Sequence, residues 1–156
     1  MHPHAALIDK FYRAFQQRDA ATMASCYHAE AHFSDPAFPD LRGTRATSMW
    51  TMLCARGKDL RLEYRDVRAD EHGGAAHWEA WYTFSRTGRQ VHNVIDATFE
   101  FREGLIIRHI DSFDFHRWAG QALGLPGKLL GGTAFMQKKV QKLAAAGLDD
   151  FIARGA

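Results

Sequence analysis

From Leu60 to Phe115 apolar residues recur at every second position in long runs separated by short polar turns, and no other feature constrains the fold so strongly. Side chains on a strand alternate between faces, so runs of this period demand extended strands. Turns this short demand that consecutive strands run antiparallel. Leu60, Leu62 and Tyr64 alternate with Arg61, Glu63 and Arg65 until the phase slips before Val67, the mark of a bulge in a bent strand. Asp70 to Gly74 is a turn and Ala75 to Ser85 the next strand. Arg86-Thr87-Gly88-Arg89 turns the chain into Gln90 to Arg102, where Val91, Asn93, Ile95, Ala97, Phe99 and Phe101 share a face. Glu103-Gly104 leads into the last strand, which runs to Phe115. A meander with one apolar face needs a cover, and the rest of the chain is patterned to provide it.

Before Leu60 the apolar period is that of helices. Leu7, Ile8, Phe11, Tyr12 and Phe15 fall on one face of a helix from Pro3 to Arg18, and Asp19 caps a short second helix from Ala20 to Tyr27. Ala31 to Ser34 is extended and stops at Asp35-Pro36, because the residue before proline is pushed out of the helical region. Asp35 to Gly43, with Pro36 and Pro39, reads as an irregular loop. Thr44 opens a third helix bearing Ala46, Met49, Trp50 and Leu53, and Gly57 closes it. After Phe115 the chain returns to helix from Arg117 to Leu123, breaks at Gly124 to Gly127, resumes from Phe135 to Ala146 and ends in a short helix, Asp149 to Ala153. The class is α+β, with helices on one face of the sheet.

The 156 residues make one domain, and a net charge of +2 gives no electrostatic footprint for nucleic acid or an acidic membrane. No apolar run approaches the ~20 residues of a membrane span, so the expected location is cytoplasmic with no membrane contact. Cys26 and Cys54, among apolar neighbours on helices, read as buried free thiols, and no His or Cys cluster has metal spacing, so neither metal nor cofactor is expected.

On the last strand Leu105, Ile107, His109, Asp111 and Phe113 share a face that is apolar apart from the central ionisable pair. A buried carboxylate without partners is costly, so His109 and Asp111 either find polar partners inside or line a cavity. Same-face neighbours on a strand lie ~7 Å apart, which favours two groups touching one small ligand over a direct bond between them. Asp35 also has two readings: an aspartate before proline initiates turns, and a carboxylate beside an apolar pocket is suited to proton abstraction.

The run Phe11-Tyr12-Arg13-Ala14-Phe15 with Asp19, Met23, Tyr27, Phe33, Asp35-Pro36 and Gly43, then a helix and four long strands ending in Gly104-x-Ile106-x-x-His109-x-Asp111, resembles the nuclear-transport-factor-two-like superfamily. More narrowly it is similar to its SnoaL-like branch, which holds polyketide cyclases, and to the ketosteroid isomerases. The resemblance implies a cone-shaped α+β barrel over residues 1–115, with residues 116–156 a helical extension of the same domain. It further implies an apolar pocket between the concave face of the sheet and the first and third helices, lined by Phe11, Trp50, Trp78, Tyr82, Asn93, Ala97 and Phe113. Asp35 stands where the isomerases carry their general base, and Asp111, or Asp114 in a shifted register, where the cyclases carry their acid–base aspartate, with His109 as partner. Phe11 and Ala97 occupy the oxyanion-hole positions of the isomerases, while Tyr12 and Asp96 are each one residue away, so steroid isomerisation is not expected. The expected partners are a small apolar or aromatic organic molecule and a second copy of the chain, docked on the outer sheet face around Trp81, Val94 and Ile110. The function is then a cofactor-independent isomerase, cyclase or hydrolase, or a non-catalytic binding module of the same fold.

Overall fold

Helix α1 (Pro3–Gln16) begins where the His2 ring accepts the His4 amide and proline fills the first helical position, and it buries Ile8, Phe11, Tyr12 and Phe15 along one stripe. The structure is a computed structural model and describes residues 1–155. Helix α2 (Ala20–Ser25) is capped by Asp19, whose carboxylate accepts both the amide and the hydroxyl of Thr22. It ends earlier than its sequence suggests, because Tyr27 already belongs to strand β1 (Tyr27–Ser34). Tertiary pairing overrides local pattern here: β1 runs parallel to the last strand of the meander, a partner some eighty residues away that no local signal announces. Within the loop that follows, Leu41–Arg42 forms a short β2 antiparallel to β1, and Gly43, at φ 57°, leads into α3 (Thr44–Arg56).

The meander comprises β3 (Arg61–Ala69), β4 (Gly74–Phe84), β5 (Arg89–Arg102) and β6 (Leu105–Ser112), and the sheet order is β2-β1-β6-β5-β4-β3. The β3 register slips between Arg65 and Arg68, with Asp66 at φ 57°, where the alternation lost phase. Glu103 and Gly104, at φ 55° and 76°, make the two-residue turn whose twist matches its flanking strands. A second slip lies near the start of β6: Arg108 faces Glu100 but Ile106 faces Phe101, leaving Ile107 between them. Ile106 is therefore fully buried, whereas Leu105 and Ile107, expected inside, are partly exposed. From His109 onward the expected phase holds, and His109 and Asp111 are both buried.

The tail forms α4 (Phe115–Leu123), capped by Asp114, then α5 (Leu125–Leu130) and α6 (Ala134–Ala153). Helix α6 is continuous, not split at Gly147. A helical glycine costs about 1 kcal/mol, and burial of Leu148 and Phe151 in the main core outweighs it. Gln137 and Gln141 both donate to the Pro36 carbonyl and Arg45 pairs with Asp149, so α6 is fastened to the loop after β1 and to α3. The open, curved six-stranded sheet thus encloses α1 and α3, and the tail forms a further wall.

Candidate active site

Tyr27 stands at the start of β1, where the parallel pairing with β6 sets it beside the inward-facing side chains of that strand. Its hydroxyl accepts the Trp50 Nε1–H at 2.9 Å and lies 2.7 Å from His109 Nδ1. An ionised Asp111 only accepts, so in the neutral imidazole the ring proton sits on Nε2 and Nδ1 takes the phenol proton. Nε2 lies 2.9 Å from Asp111 Oδ1, which also accepts the Trp78 Nε1–H at 3.3 Å. A chain Trp50–Tyr27–His109–Asp111 results, closed from the far side by Trp78. Burial pushes the Tyr27 phenol well above its ordinary value, so the hydroxyl stays protonated. The expectation that His109 and Asp111 are too far apart to bond is overturned: backbone spacing fixes the Cα atoms, but the imidazole, stacked 5.8 Å from Trp50, extends along the strand and closes the gap.

Both bonds to Asp111 fall on Oδ1, while the residue lines a cavity of about 540 Å³, within the ~300–1,000 Å³ of small-molecule sites. Asp35 lines the same cavity and repeats the arrangement: its Oδ1 accepts the amides of Ala37 and Phe38, each at 2.7 Å, and no hydrogen bond within the described residues reaches Oδ2. It is thus a turn-former and a pocket carboxylate at once. Burial pushes its carboxyl up to about 7; the Phe38 and Ala37 amides pull it down, and the Asp111 charge adds to the rise.

Tyr82 and Asn93 also line the cavity. Tyr82 Oη accepts the Trp118 Nε1–H at 2.8 Å and keeps its own proton, because burial raises the phenol to about 12. The Asn93 amide is buried and bonded to no other side chain among the described residues. Between these groups the walls are apolar and aromatic, with Phe15, Trp50, Trp78, Ile95 and Phe113 from α1, α3 and the sheet and Met136 from α6.

Trp50, Trp78, Tyr82, Asn93 and Phe113 therefore stand at the cavity with Asp35 and Asp111, and four of the named residues do not. Phe11 is wholly buried beneath the relay, stacked 5.7 Å from Tyr27 and edge-on to His109. Ala97 pairs with Asp111 in the ladder but is too short to reach the cavity wall. His109 is fully enclosed, bonds Asp111 and is not part of the cavity lining. Asp114 caps α4 and lies outside the cavity. The two near misses stay misses: the Tyr12 hydroxyl is buried beside Tyr64 and Trp78 without a partner among the described residues, and Asp96 binds His77 on the opposite sheet face. Sequence reasoning missed Tyr27. An aromatic hydroxyl directly after a helix cap carries no signal of its own, and only the β1–β6 pairing gives it a role.

Comparison with solved structures gives the same architecture. A LEH-like epoxide hydrolase of M. tuberculosis is 18% identical over 82% of this chain and 96% of that one, with a TM-score of 0.63. A protein of Xanthomonas campestris pv. campestris, provisionally described as a polyketide cyclase, is 18% identical over 76% and 96%, at 0.64. TerC, co-crystallised with polyporic acid, is 20% identical over 74% and 97%, at 0.62. At such identities the likeness concerns the fold. No curated protein matches the sequence significantly. Residues 8–109, from α1 through His109, match the family model of the SnoaL-like domain, and the chain with its curved sheet, enclosed helices and lined cavity belongs to that family.

Proposed function

We propose that this protein is an acid–base enzyme acting on a small, largely apolar organic molecule, in an isomerisation, cyclisation or ring-opening hydrolysis, with Asp35 and Asp111 as the catalytic pair. One observation carries the reading: two carboxylates, each anchored through Oδ1, face a single apolar cavity, and one of them is raised to about 7. A carboxyl near 7 is half-protonated at neutral pH and exchanges a proton with little driving force either way. Asp35 is then the acid and Asp111, oriented by His109, Tyr27 and Trp78, the base. Tyr82 Oη–H and the Asn93 amide are donors for a developing oxyanion, in place of the positions held by Phe11 and Ala97. The described epoxide hydrolase and polyketide cyclase activities of structural neighbours are consistent with this chemistry.

The test is incubation with cyclic and aryl ketones in heavy water and with aryl epoxides in ¹⁸O-water, with label uptake read by mass spectrometry. Uptake should be lost in Asp111→Asn and fall to a residual rate in Asp35→Asn. Since Asp35 works protonated, the rate should fall as pH rises through about 7, and that limb should vanish in Asp35→Asn. Uptake in Asp111→Asn equal to that of the native protein refutes the assignment.

A second reading, a non-catalytic binding module, is favoured by the structural bonds each Oδ1 already makes; thermal shifts with ligands but no label uptake would establish it. In either case we place a second copy on the outer sheet face. Trp81 is sandwiched there between His92, with ring centroids 4.6 Å apart, and the Arg61 guanidinium at 4.1 Å. Trp81→Glu should convert a dimer to a monomer in analytical ultracentrifugation.

A further inference from the structure

Charge is divided unevenly along the cavity. Among the described residues, Asp35 and Asp111 are the only carboxylates in its lining, and Asp111, 4% exposed, marks the closed end. The cations in the lining are Arg56, Arg86 and Lys139, all exposed and therefore at the solvent end, and they come from α3, the β4–β5 turn and α6. Arg56 is partly engaged, lying over the Phe151 ring with Asp150 3.9 Å away. Arg86 and Lys139 make no ion pair and no side-chain hydrogen bond among the described residues.

Phe15, Trp50, Trp78 and Phe113 give the cavity aromatic walls. An anionic group pushed to the closed end would face the Asp111 charge in a poorly solvated space. At the mouth the same group meets two unpartnered cations. A neutral ligand would gain nothing from Arg86 or Lys139.

We infer that the ligand of this cavity is an amphipathic organic acid, whose ring-bearing apolar body lies against the aromatic walls and whose anionic group is held at the mouth by Arg86 and Lys139. This rests on the cavity being the ligand site, as in the proposed function, and adds an orientation to it. The atoms farthest from the acid group are the ones delivered to Asp111 and Asp35. The tail gains a role as well, since α6 supplies one of the two cations together with the apolar wall of Met136 and Val140.

The test compares phenylhexanoic acid, phenylhexyl phosphate and phenylhexanol by calorimetry at low and high ionic strength. At least one of the two acids should bind about tenfold more tightly than the alcohol at low salt, with the advantage shrinking as salt screens the rim. The preferred acid shows whether a carboxylate or a phosphate is held. In Arg86→Gln/Lys139→Gln, two exposed substitutions that leave the core untouched, the advantage should disappear while the affinity for the alcohol stays unchanged. Equal or weaker binding of both acids in the native protein, including no binding of any probe, overturns the inference, as does an advantage that survives in the double variant. Label uptake by ketones without an acid preference sinks this inference alone. An acid preference without label uptake sinks only the catalytic reading.

Discussion

Replacing Asp35 by asparagine should make the protein more stable, and by an amount that depends on pH. Asparagine keeps an oxygen to accept the Ala37 and Phe38 amides, so the turn survives while the charge is removed. An ordinary aspartate titrates at 3.8 and Asp35 at about 7, and at about 1.4 kcal/mol per pH unit the gap corresponds to about 4 kcal/mol of destabilisation once the group is ionised in both states. Asp35 is only partly buried, at the wall of a cavity open to solvent, so a gain of about 2–4 kcal/mol at about pH 8 is expected. The sign follows from proton linkage. Because the native carboxyl holds its proton more tightly than the unfolded one, the native protein loses stability as pH rises from 3.8 to about 7, and the loss is complete above that. At about pH 5 only the part of the penalty accumulated above 3.8 is present, so the advantage of the variant should shrink to about 1.5 kcal/mol or less. Titrating groups away from the cavity, Glu79 among its histidines for one, are common to both proteins and cancel in the difference. Urea unfolding of both proteins at the two pH values measures it. A variant less stable than the native protein at the higher pH, or a difference that does not change with pH, would refute the argument that burial of a charge near Asp111 sets the Asp35 titration.

Other consequences follow from the relay and the tail. Tyr27→Phe leaves the Trp50 indole N–H and His109 Nδ1 buried without partners, and at about 1–3 kcal/mol for each such group a loss of about 2–4 kcal/mol is expected in chemical denaturation. A loss under about 1 kcal/mol would show that the chain of bonds leading to Asp111 contributes little. Leu148→Ala should cost about 2–5 kcal/mol although it lies eight residues from the C-terminus, because Leu148 is fully buried in the main core. A surface-like cost of about 0.5 kcal/mol would mean that α6 is not held to the body of the protein in the way described.

What was legible in the sequence was what depends on neighbours along the chain. The period-two runs from Leu60 to Arg102 became β3, β4 and β5, and the phase slip before Val67 became a register shift, because side-chain alternation is a property of the strand itself. The stripe of Ile8, Phe11, Tyr12 and Phe15 became the buried face of α1 for the same reason. The lone ionisable pair on β6 was likewise visible, since two polar residues on an apolar face stand out from the pattern. The β6 phase was misread at Leu105 and Ile107, because the slip opposite Phe101 belongs to the pairing of two strands and not to either alone. The break expected at Gly147 failed similarly, since a weak helical residue is carried by contacts made elsewhere in the fold.

The sequence by itself determined the family, the order of the main helices and of the meander strands, and the residues that could do chemistry: Asp35, His109 and Asp111 among apolar neighbours. Only the tertiary structure decided how they are connected. The parallel pairing of β1 with β6 brings Tyr27 to His109 across 82 residues of chain, and His109, fully enclosed, bonds Asp111 instead of lining the cavity. It also decided that the tail walls the cavity, because Leu148 and Phe151 join the main core while Gln137 and Gln141 reach Pro36. The physical reason is common to both: hydrogen bonds and burial act between groups that are close in space, and chain pattern reports only on groups that are close in sequence.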